Sequence, residues 1–192
     1  MKQPTILENN VSYCCHISSS DMEEIYHFAR ANKNGEGLVV YLKEYALQDE
    51  ETNMARTYIV RWKENNEIVG YFSLKSGLMV LQEGSLFRHY YNTIPGVELA
   101  NFAVNGKFLE RHPEIHGIGY IIFCDYILPI VKQWATYIGT KILYIFALPY
   151  ESLMENYKKY GFSRLTKGQE KLIHGRIKPK YDKDCIFMYQ VL

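Results

Sequence analysis

Apolar and polar side chains alternate most regularly over residues 57–62, TYIVRW, where every second position is large and apolar. A period of two predicts a strand that buries one face. Asn65 and Asn66 follow, and asparagine tolerates the positive φ angles that a tight turn requires. A second apolar run covers 68–74. The two runs and their turn therefore predict a β-hairpin.

Apolar positions spaced by three and four residues predict two helices in the first third of the chain. Ser20 and Glu23 have the spacing of a capping box, and Met22, Ile25 and Phe28 continue as an apolar stripe. A second helix is expected over about 38–48, before a run of acidic residues.

The longest helical pattern runs from Gly117 to Tyr137. Pro129 lies inside it and cannot donate a backbone hydrogen bond to the carbonyl of Asp125, so we expect a kink near that residue. Pro149 and Gly161 predict the start and the end of a last helix.

Short apolar runs predict further strands at 12–17, 97–104, 142–147 and 185–192. Residues 76–94 have no clear period. A strand, a helix and a strand follow one another between residues 97 and 147, and such a crossover makes its two strands parallel and close neighbours. The pattern predicts a mixed α/β sheet covered by helices, in one domain over 1–192.

Composition narrows the class of protein. The chain has 192 residues, with 22 Lys and Arg against 21 Asp and Glu, a net charge of +1. This balance provides no overall attraction to nucleic acid or to a membrane. No apolar run is long enough to span a bilayer, and the start lacks a signal peptide's apolar core, so a cytoplasmic protein is expected. The spacing of the cysteines and histidines predicts reduced thiols and no metal site.

Gly117-Ile118-Gly119 follows a strand and a polar loop and opens the long helix. The first turn of a helix has unpaired N–H groups and the positive end of the helix dipole, which suit a phosphate group. The alternative is a tight loop that packs the helix on the sheet. The motif is neither a Walker loop nor a complete Rossmann fingerprint.

Two motifs in this order resemble the GNAT superfamily of acyl-coenzyme-A-dependent N-acyltransferases. The first is EIHGIG, residues 114–119, against the family's Q/R-x-x-G-x-G/A pyrophosphate loop. The second is YKKYGF, residues 157–162, against the Y-E-K-x-G-F end of the family's final helix. The resemblance implies an open, mostly antiparallel mixed sheet with a central parallel pair and helices on both faces.

The resemblance also implies that acetyl-coenzyme A (acetyl-CoA) is the co-substrate, with no metal involved. Backbone N–H groups would bind its pyrophosphate at His116, Gly117, Ile118, Gly119 and Tyr120. The strand residues Phe102, Ala103 and Val104 would pair with its pantetheine arm, as an added strand does. Glu114 replaces the family's Gln or Arg, and we expect His116, Arg111 and Lys107 to offset its charge.

Two catalytic residues follow from the same resemblance. Tyr157 matches the tyrosine that protonates the leaving thiolate, and its alternative role is that of a core aromatic. Glu98 lies where some members carry a general-base glutamate. A carboxylate inside a buried strand is uncommon, which supports this role. The alternatives are a side chain that faces solvent or pairs with a nearby Lys or Arg, and a water chain can also serve as the base.

These inferences predict an N-acetyltransferase that acts on a primary amine of a small molecule or peptide. One alternative is a GNAT-type toxin that acetylates aminoacyl-tRNA, because the segments 70–77 and 94–104 are similar to that branch and residues 164–183 are rich in Lys and Arg. The other is a non-catalytic acyl-CoA-binding module. The near-neutral net charge does not favour a nucleic-acid partner, and the sequence leaves a homodimer open.

Overall fold

A computed structural model describes residues 4–31, 34–85, 88–176 and 184–192. The chain divides into two compact units. The first comprises Met1–Lys75 and Ala100–Ile130, and the second comprises Ser76–Leu99 and Val131–Leu192.

The strands are β1 (Leu7–Glu8), β2 (Ser12–His16), β3 (Arg56–Trp62), β4 (Ile68–Ser85), β5 (Arg88–Val104), β6 (Ile142–Ala147), β7 (Ser163–Arg164) and β8 (Ile186–Val191). The α-helices are α1 (Met22–Tyr26), α2 (Glu36–Val40), α3 (Ala46–Glu51), α4 (Gly106–Arg111), α5 (Ile118–Ile122), α6 (Leu128–Tyr137), α7 (Glu151–Lys159) and α8 (Lys167–Arg176). A 3-10 turn (Ser19–Asp21) precedes α1, and π-helical turns join α2 to α3 (Tyr41–Tyr45) and α5 to α6 (Phe123–Ile127).

In the first unit, β1, β2, β3 and the start of β4 form an antiparallel sheet in chain order. The predicted hairpin is confirmed, and Asn66 adopts a positive φ of 64° in its turn. The end of β5 lies so close to β4 that a Cβ at Gly70 would be 2.7 Å from the Ala103 carbonyl oxygen. Aromatic side chains fill the core beside this sheet, among them Phe28, Tyr41 and Tyr71.

The predicted capping box lies two residues earlier than expected. The backbone N–H of Ser18 donates to Asp21 Oδ2 at 2.7 Å, so Ser18 and Asp21 form the box instead of Ser20 and Glu23. Asp21 is also held by Arg61, whose Nη2 lies 2.7 Å from Asp21 Oδ1. This buried long-range pair selects the cap, and the local spacing could not reveal it.

In the second unit, β5 and β6 run parallel, as the crossover predicted. Their ladder joins Gly96–Glu98 to Ile142–Tyr144. β6 then pairs antiparallel with β8 along its whole length, and β7 pairs with β8 on the other side. The predicted fold class, a mixed and mostly antiparallel sheet with one parallel pair and helices, is confirmed.

The long helix changes its hydrogen-bonding pattern at the predicted position. The π-helical turn Phe123–Ile127 contains Asp125, four residues before Pro129. Proline has no N–H to donate to that carbonyl, so the backbone takes the wider turn there. No helix in the described part of the chain is both long and apolar enough to cross a membrane.

The basic segment after Phe162 contains a helix, because residues 167–176 form α8. The Gln169 side chain accepts from the Gln82 N–H at 3.1 Å and donates to the Gln82 carbonyl at 2.8 Å. Ile173 is fully buried in the core of the second unit. These contacts stabilise a helix with a weak apolar stripe. Residues 177–183 of the basic segment lie outside the described residues.

Candidate active site

The turn before α5 has the backbone that the phosphate-binding hypothesis requires. Gly117 is the N-cap, with φ 72° and ψ 17°, a left-handed conformation that favours glycine. Ile118 is buried and anchors the first turn, whereas Gly117 and Tyr120 are exposed. Apart from its two chain neighbours, no described residue has an atom within 4 Å of where a Cβ at Gly117 would be, so the turn is open. The N–H groups that follow have no intrahelical partner, and the helix dipole favours an anion beside them.

The end of β5 offers a second feature that fits the coenzyme. Phe102, Ala103 and Val104 are half-buried, and Asn105 caps α4 by accepting from the Lys107 N–H at 3.2 Å. The adjacent Asn101 is only 3% exposed. No described residue donates to its Oδ1. A buried acceptor without a donor is uncommon, and the amide N–H groups of a pantetheine arm are donors of the right kind.

Charges around the turn are paired differently from our expectation. Glu114 is exposed, and its Oε1 lies 3.6 Å from Nδ1 of His112. Arg111 forms its ion pair with Glu67, so it does not offset Glu114. His116 is exposed. His112 is therefore the group nearest to Glu114 among the ion pairs of this turn, in place of Arg111.

Glu98 lies at the last residue pair of the parallel ladder, opposite Tyr144. Its side chain is half-buried, and Oε2 lies 3.5 Å from the Tyr144 hydroxyl. Tyr144 is 2% exposed, and burial, followed by the charge of Glu98, raises its pKa. The tyrosine therefore stays protonated at neutral pH and acts as a donor towards the carboxylate.

Tyr157 is fixed by the end of its helix. The N–H of Phe162 donates to the Tyr157 carbonyl at 3.0 Å, and the N–H of Gly161 donates to the Lys158 carbonyl at 2.9 Å. Gly161 has a φ of 92°. This is the Schellman motif, in which a left-handed glycine lets the next apolar residue fold back onto the helix. The motif YKKYGF thus encodes a helix end that orients the Tyr157 ring.

The hydroxyl of Tyr157 has no hydrogen-bond partner among the described residues, although the side chain is only 5% exposed. Its ring meets those of Tyr160 and Phe162 edge to face, with centroids 5.9 and 5.6 Å away. Burial is the main cause that raises the Tyr157 pKa. The group is therefore a protonated O–H donor at neutral pH, with two aromatic rings beside it.

The structure places the predicted residues in two groups. Phe102–Val104 and residues 116–120 belong to the first unit, and Glu98 and Tyr157 belong to the second. The sequence did not single out Tyr144 or Asn101. A tyrosine inside a strand as apolar as ILYIFA could have indicated Tyr144, because a buried hydroxyl needs a polar partner.

No family model matches this sequence. Solved structures match nearly all of it. A mutant of KacT has a TM-score of 0.67 at 16% identity, covering 95% of each chain. A mutant of the toxin AtaT, bound to acetyl-CoA and to the C-terminus of the antitoxin AtaR, has a TM-score of 0.65 at 16% identity, covering 94% of this chain and 92% of that one. AtaT complexed with acetyl-methionyl-tRNAfMet has a TM-score of 0.61 at 16% identity, covering 92% and 93%.

This similarity establishes the fold. The chain has the GNAT fold of the AtaT and KacT toxins, as the two sequence motifs predicted.

Proposed function

We propose that this protein is an acetyl-CoA-dependent N-acetyltransferase whose acceptor is the α-amino group of an aminoacyl-tRNA. One observation carries the proposal, namely the fold match along nearly the whole of both chains to AtaT complexed with acetyl-methionyl-tRNAfMet. It favours the tRNA alternative over the small-molecule or peptide amine that we preferred from the sequence. The matches to AtaT bound to acetyl-CoA also support the assignment as an acetyl-CoA enzyme.

Coenzyme binding is assigned to the first unit. The N–H groups of residues 116–120 would bind the pyrophosphate, and the left-handed Gly117 gives the turn its open form. Phe102–Val104 would pair with the pantetheine arm through their backbone, and Asn101 Oδ1 would accept one of its amide N–H groups. The unpaired state of that buried oxygen supports this assignment.

The acceptor amine must lose a proton before its lone pair can attack. An α-amino group has a pKa of about 7.7–8.0, against about 10.4 for a lysine side chain, so a modest base suffices near neutral pH. Glu98 would accept this proton. The amine nitrogen then attacks the thioester carbonyl carbon, a C–N bond forms, and the C–S bond breaks as the tetrahedral intermediate collapses.

The sulfur leaves as a thiolate unless it receives a proton. Tyr157 would donate that proton from its hydroxyl, and the second proton that the attacking nitrogen loses as the amide forms would restore this hydroxyl. Its raised pKa keeps the group protonated before the reaction. The products are the N-acetylated aminoacyl-tRNA and free coenzyme A.

The outer face of α8 would contact the tRNA backbone. Lys167 and Lys171 are both exposed and lie one helical turn apart. Glu170 does not oppose them at the surface, because its carboxylate accepts from Arg164 at 3.0 Å and from the Phe187 N–H at 3.2 Å. The face therefore carries a local positive charge that the net charge of +1 conceals.

A thiol-release assay with acetyl-CoA tests the proposal on a panel of acceptors. The panel contains aminoacyl-tRNA, the matching free amino acid ester, short peptides and polyamines, with uncharged tRNA as the control. We expect thiol release with aminoacyl-tRNA and none with uncharged tRNA. Efficient thiol release with peptides or polyamines, and none with aminoacyl-tRNA, would contradict the proposal and favour a small-molecule or peptide amine as the acceptor.

A further inference from the structure

The ring of Tyr144 lies across two glycines. A Cβ at Gly96 would come within 3.2 Å of Tyr144 Cδ1, and a Cβ at Gly77 would overlap the Tyr144 hydroxyl. Phe187 stacks on the ring, with centroids 5.2 Å apart at 26°. The missing side chains on β4 and β5 therefore let this tyrosine lie along the sheet instead of standing out from it.

The hydroxyl at the end of this ring lies 3.5 Å from Glu98 Oε2. The hydroxyl is the donor in this contact, because an ionised carboxylate can only accept. The distance to Glu98 is long for a hydrogen bond, as is common in catalytic sites before substrate binds.

We propose that Tyr144 is a positioning residue that orients the Glu98 carboxylate towards the acceptor amine. This inference rests on the proposed function, in which Glu98 is the base. Tyr144 touches neither the acceptor nor the coenzyme in this account and acts only through Glu98. Gly77 and Gly96 contribute to this arrangement, because the absence of a side chain at each leaves the space that the Tyr144 ring and hydroxyl occupy.

Core packing alone would not require the hydroxyl. Phenylalanine would fill the same volume, stack on Phe187 and avoid burying a polar atom. The Tyr144 hydroxyl instead lies beside Glu98, the residue opposite it at the end of the β5–β6 ladder. This position beside a carboxylate supports a role beyond packing.

A double-mutant cycle tests the inference, with Tyr144→Phe and Glu98→Gln made singly and together in the full chain. Acetyl transfer to aminoacyl-tRNA is measured with kcat and the KM for acetyl-CoA determined separately. Tyr144→Phe should lower kcat about tenfold and leave this KM within about twofold, since one oriented hydrogen bond to a charged group is lost. In the Glu98→Gln background the same change should have almost no effect, because the group that it orients is gone.

Tyr189→Phe is the matched control, since Tyr189 packs against the same core cluster and also loses only a hydroxyl. It should leave kcat unchanged. Gly77→Ala provides a second route, because its methyl group displaces the Tyr144 hydroxyl without removing it, and kcat should again fall. This variant decides the question if Tyr144→Phe proves unfolded in thermal melts.

Each outcome has a distinct meaning. A wild-type protein that transfers no acetyl group overturns the proposed function and this inference with it. If the wild type is active and Tyr144→Phe has the wild-type kcat, the inference is overturned and the proposed function stands. The same holds if Tyr144→Phe lowers kcat equally in the wild-type and Glu98→Gln backgrounds. A fully active Glu98→Gln also overturns the inference while the transferase assignment stands. If the activity of Glu98→Gln is too low to measure, the comparison of Tyr144→Phe with Tyr189→Phe decides the question. A lower kcat with an unchanged KM for acetyl-CoA in Tyr144→Phe alone supports the inference, and any other result overturns it.

Discussion

Phe162 folds back onto Tyr157 at the end of α7, with the Phe162 N–H donating to the Tyr157 carbonyl at 3.0 Å and the two rings 5.6 Å apart. This contact holds the Tyr157 ring while its hydroxyl remains unpaired among the described residues. A hydroxyl that bonds to no described residue is available to donate to a bound substrate. The arrangement suits a proton donor that waits for its substrate.

Tyr157→Phe should separate catalysis from stability. It removes a hydroxyl that bonds to no described residue, so the melting temperature should stay constant or rise slightly. If Tyr157 protonates the leaving thiolate, turnover should fall by roughly 10²–10⁴-fold while acetyl-CoA binding remains nearly intact. Tyr160→Phe, three residues away, is the control and should retain wild-type turnover. A Tyr157→Phe enzyme with normal turnover, when chemistry is rate-limiting, would exclude the acid role.

Gly161→Ala tests the helix end that positions Tyr157. Gly161 has a φ of 92°, where a Cβ costs on the order of 1 kcal/mol, so this variant should melt at a lower temperature. Gly168→Ala is the matched control, because Gly168 lies in α8 and, apart from the helix itself, no described residue has an atom within 4 Å of the new methyl group. Alanine is the better helix former there, so stability should hold or rise. Equal melting temperatures for the two variants would contradict the assigned Schellman motif.

Gly117→Asp and Gly117→Asn test the phosphate-binding turn as a pair. Both side chains tolerate left-handed backbone, and there is open space for either, so both proteins should fold. Acetyl-CoA should raise the melting temperature of the wild type, because it binds only the native state. The asparagine variant should keep part of this shift, and the aspartate variant should lose it through repulsion of the pyrophosphate. An unchanged shift with aspartate would mean that the phosphates bind elsewhere.

Changing both Lys167 and Lys171 to Gln tests the tRNA-binding face of α8. Each lost phosphate contact should lower the salt slope of log affinity by about one, so tRNA binding should weaken and depend less on salt. Acetylation of a small free amine, where measurable, should not change. The control changes Lys132 and Lys159 to Gln. Both lysines are exposed, and the two substitutions remove the same amount of charge from other helices. Equal losses from both pairs would indicate nonspecific electrostatics and not a binding face.

Glu50 should contribute to stability in a pH-dependent way. Burial acts to raise its pKa, but the nearby His16, whose Nδ1 lies 3.4 Å from Glu50 Oε1, a hydrogen bond from the Thr57 N–H and the charge of Arg56 outweigh it, so the pKa is lowered. A lowered folded pKa stabilises the protein above the unfolded value of about 4.3, and this contribution is lost as the pH falls below it. Glu50→Gln should therefore flatten the acid part of the unfolding free-energy profile. The exposed neighbour variant Glu51→Gln should leave the profile as in the wild type.

Local patterns predicted the elements whose causes are local. The hairpin follows from alternation and an asparagine turn, and the π-helical turn at Asp125 follows from the missing N–H of Pro129. Residues 76–94 had no readable period, partly because Gly77 and Gly84 interrupt the alternation. Gly77 makes room for Tyr144, a residue nearly seventy positions away in the sequence.

The features that sequence reasoning missed depend on register and long-range pairing. Helix α8 is held by the hydrogen bonds between its Gln169 and Gln82 of β4, and by its Ile173 in the core. A basic segment with a weak apolar pattern reveals neither contact. The contact between Glu98 and Tyr144 needs the strand register of the parallel ladder. The resemblance to a family could supply Tyr157 and Gly117, but not the neighbours particular to this chain.

The most direct test of the account is to identify the acetylated product. The wild-type protein is incubated with isotopically labelled acetyl-CoA and a mixture of aminoacyl-tRNAs, the RNA is recovered, its ester bonds are hydrolysed, and the released amino acids are analysed by mass spectrometry. The account predicts labelled N-acetyl amino acids with the wild type and a strong reduction with Tyr157→Phe. Recovered RNA without labelled N-acetyl amino acids, from a wild-type protein that acetylates free amines under the same conditions, would contradict it.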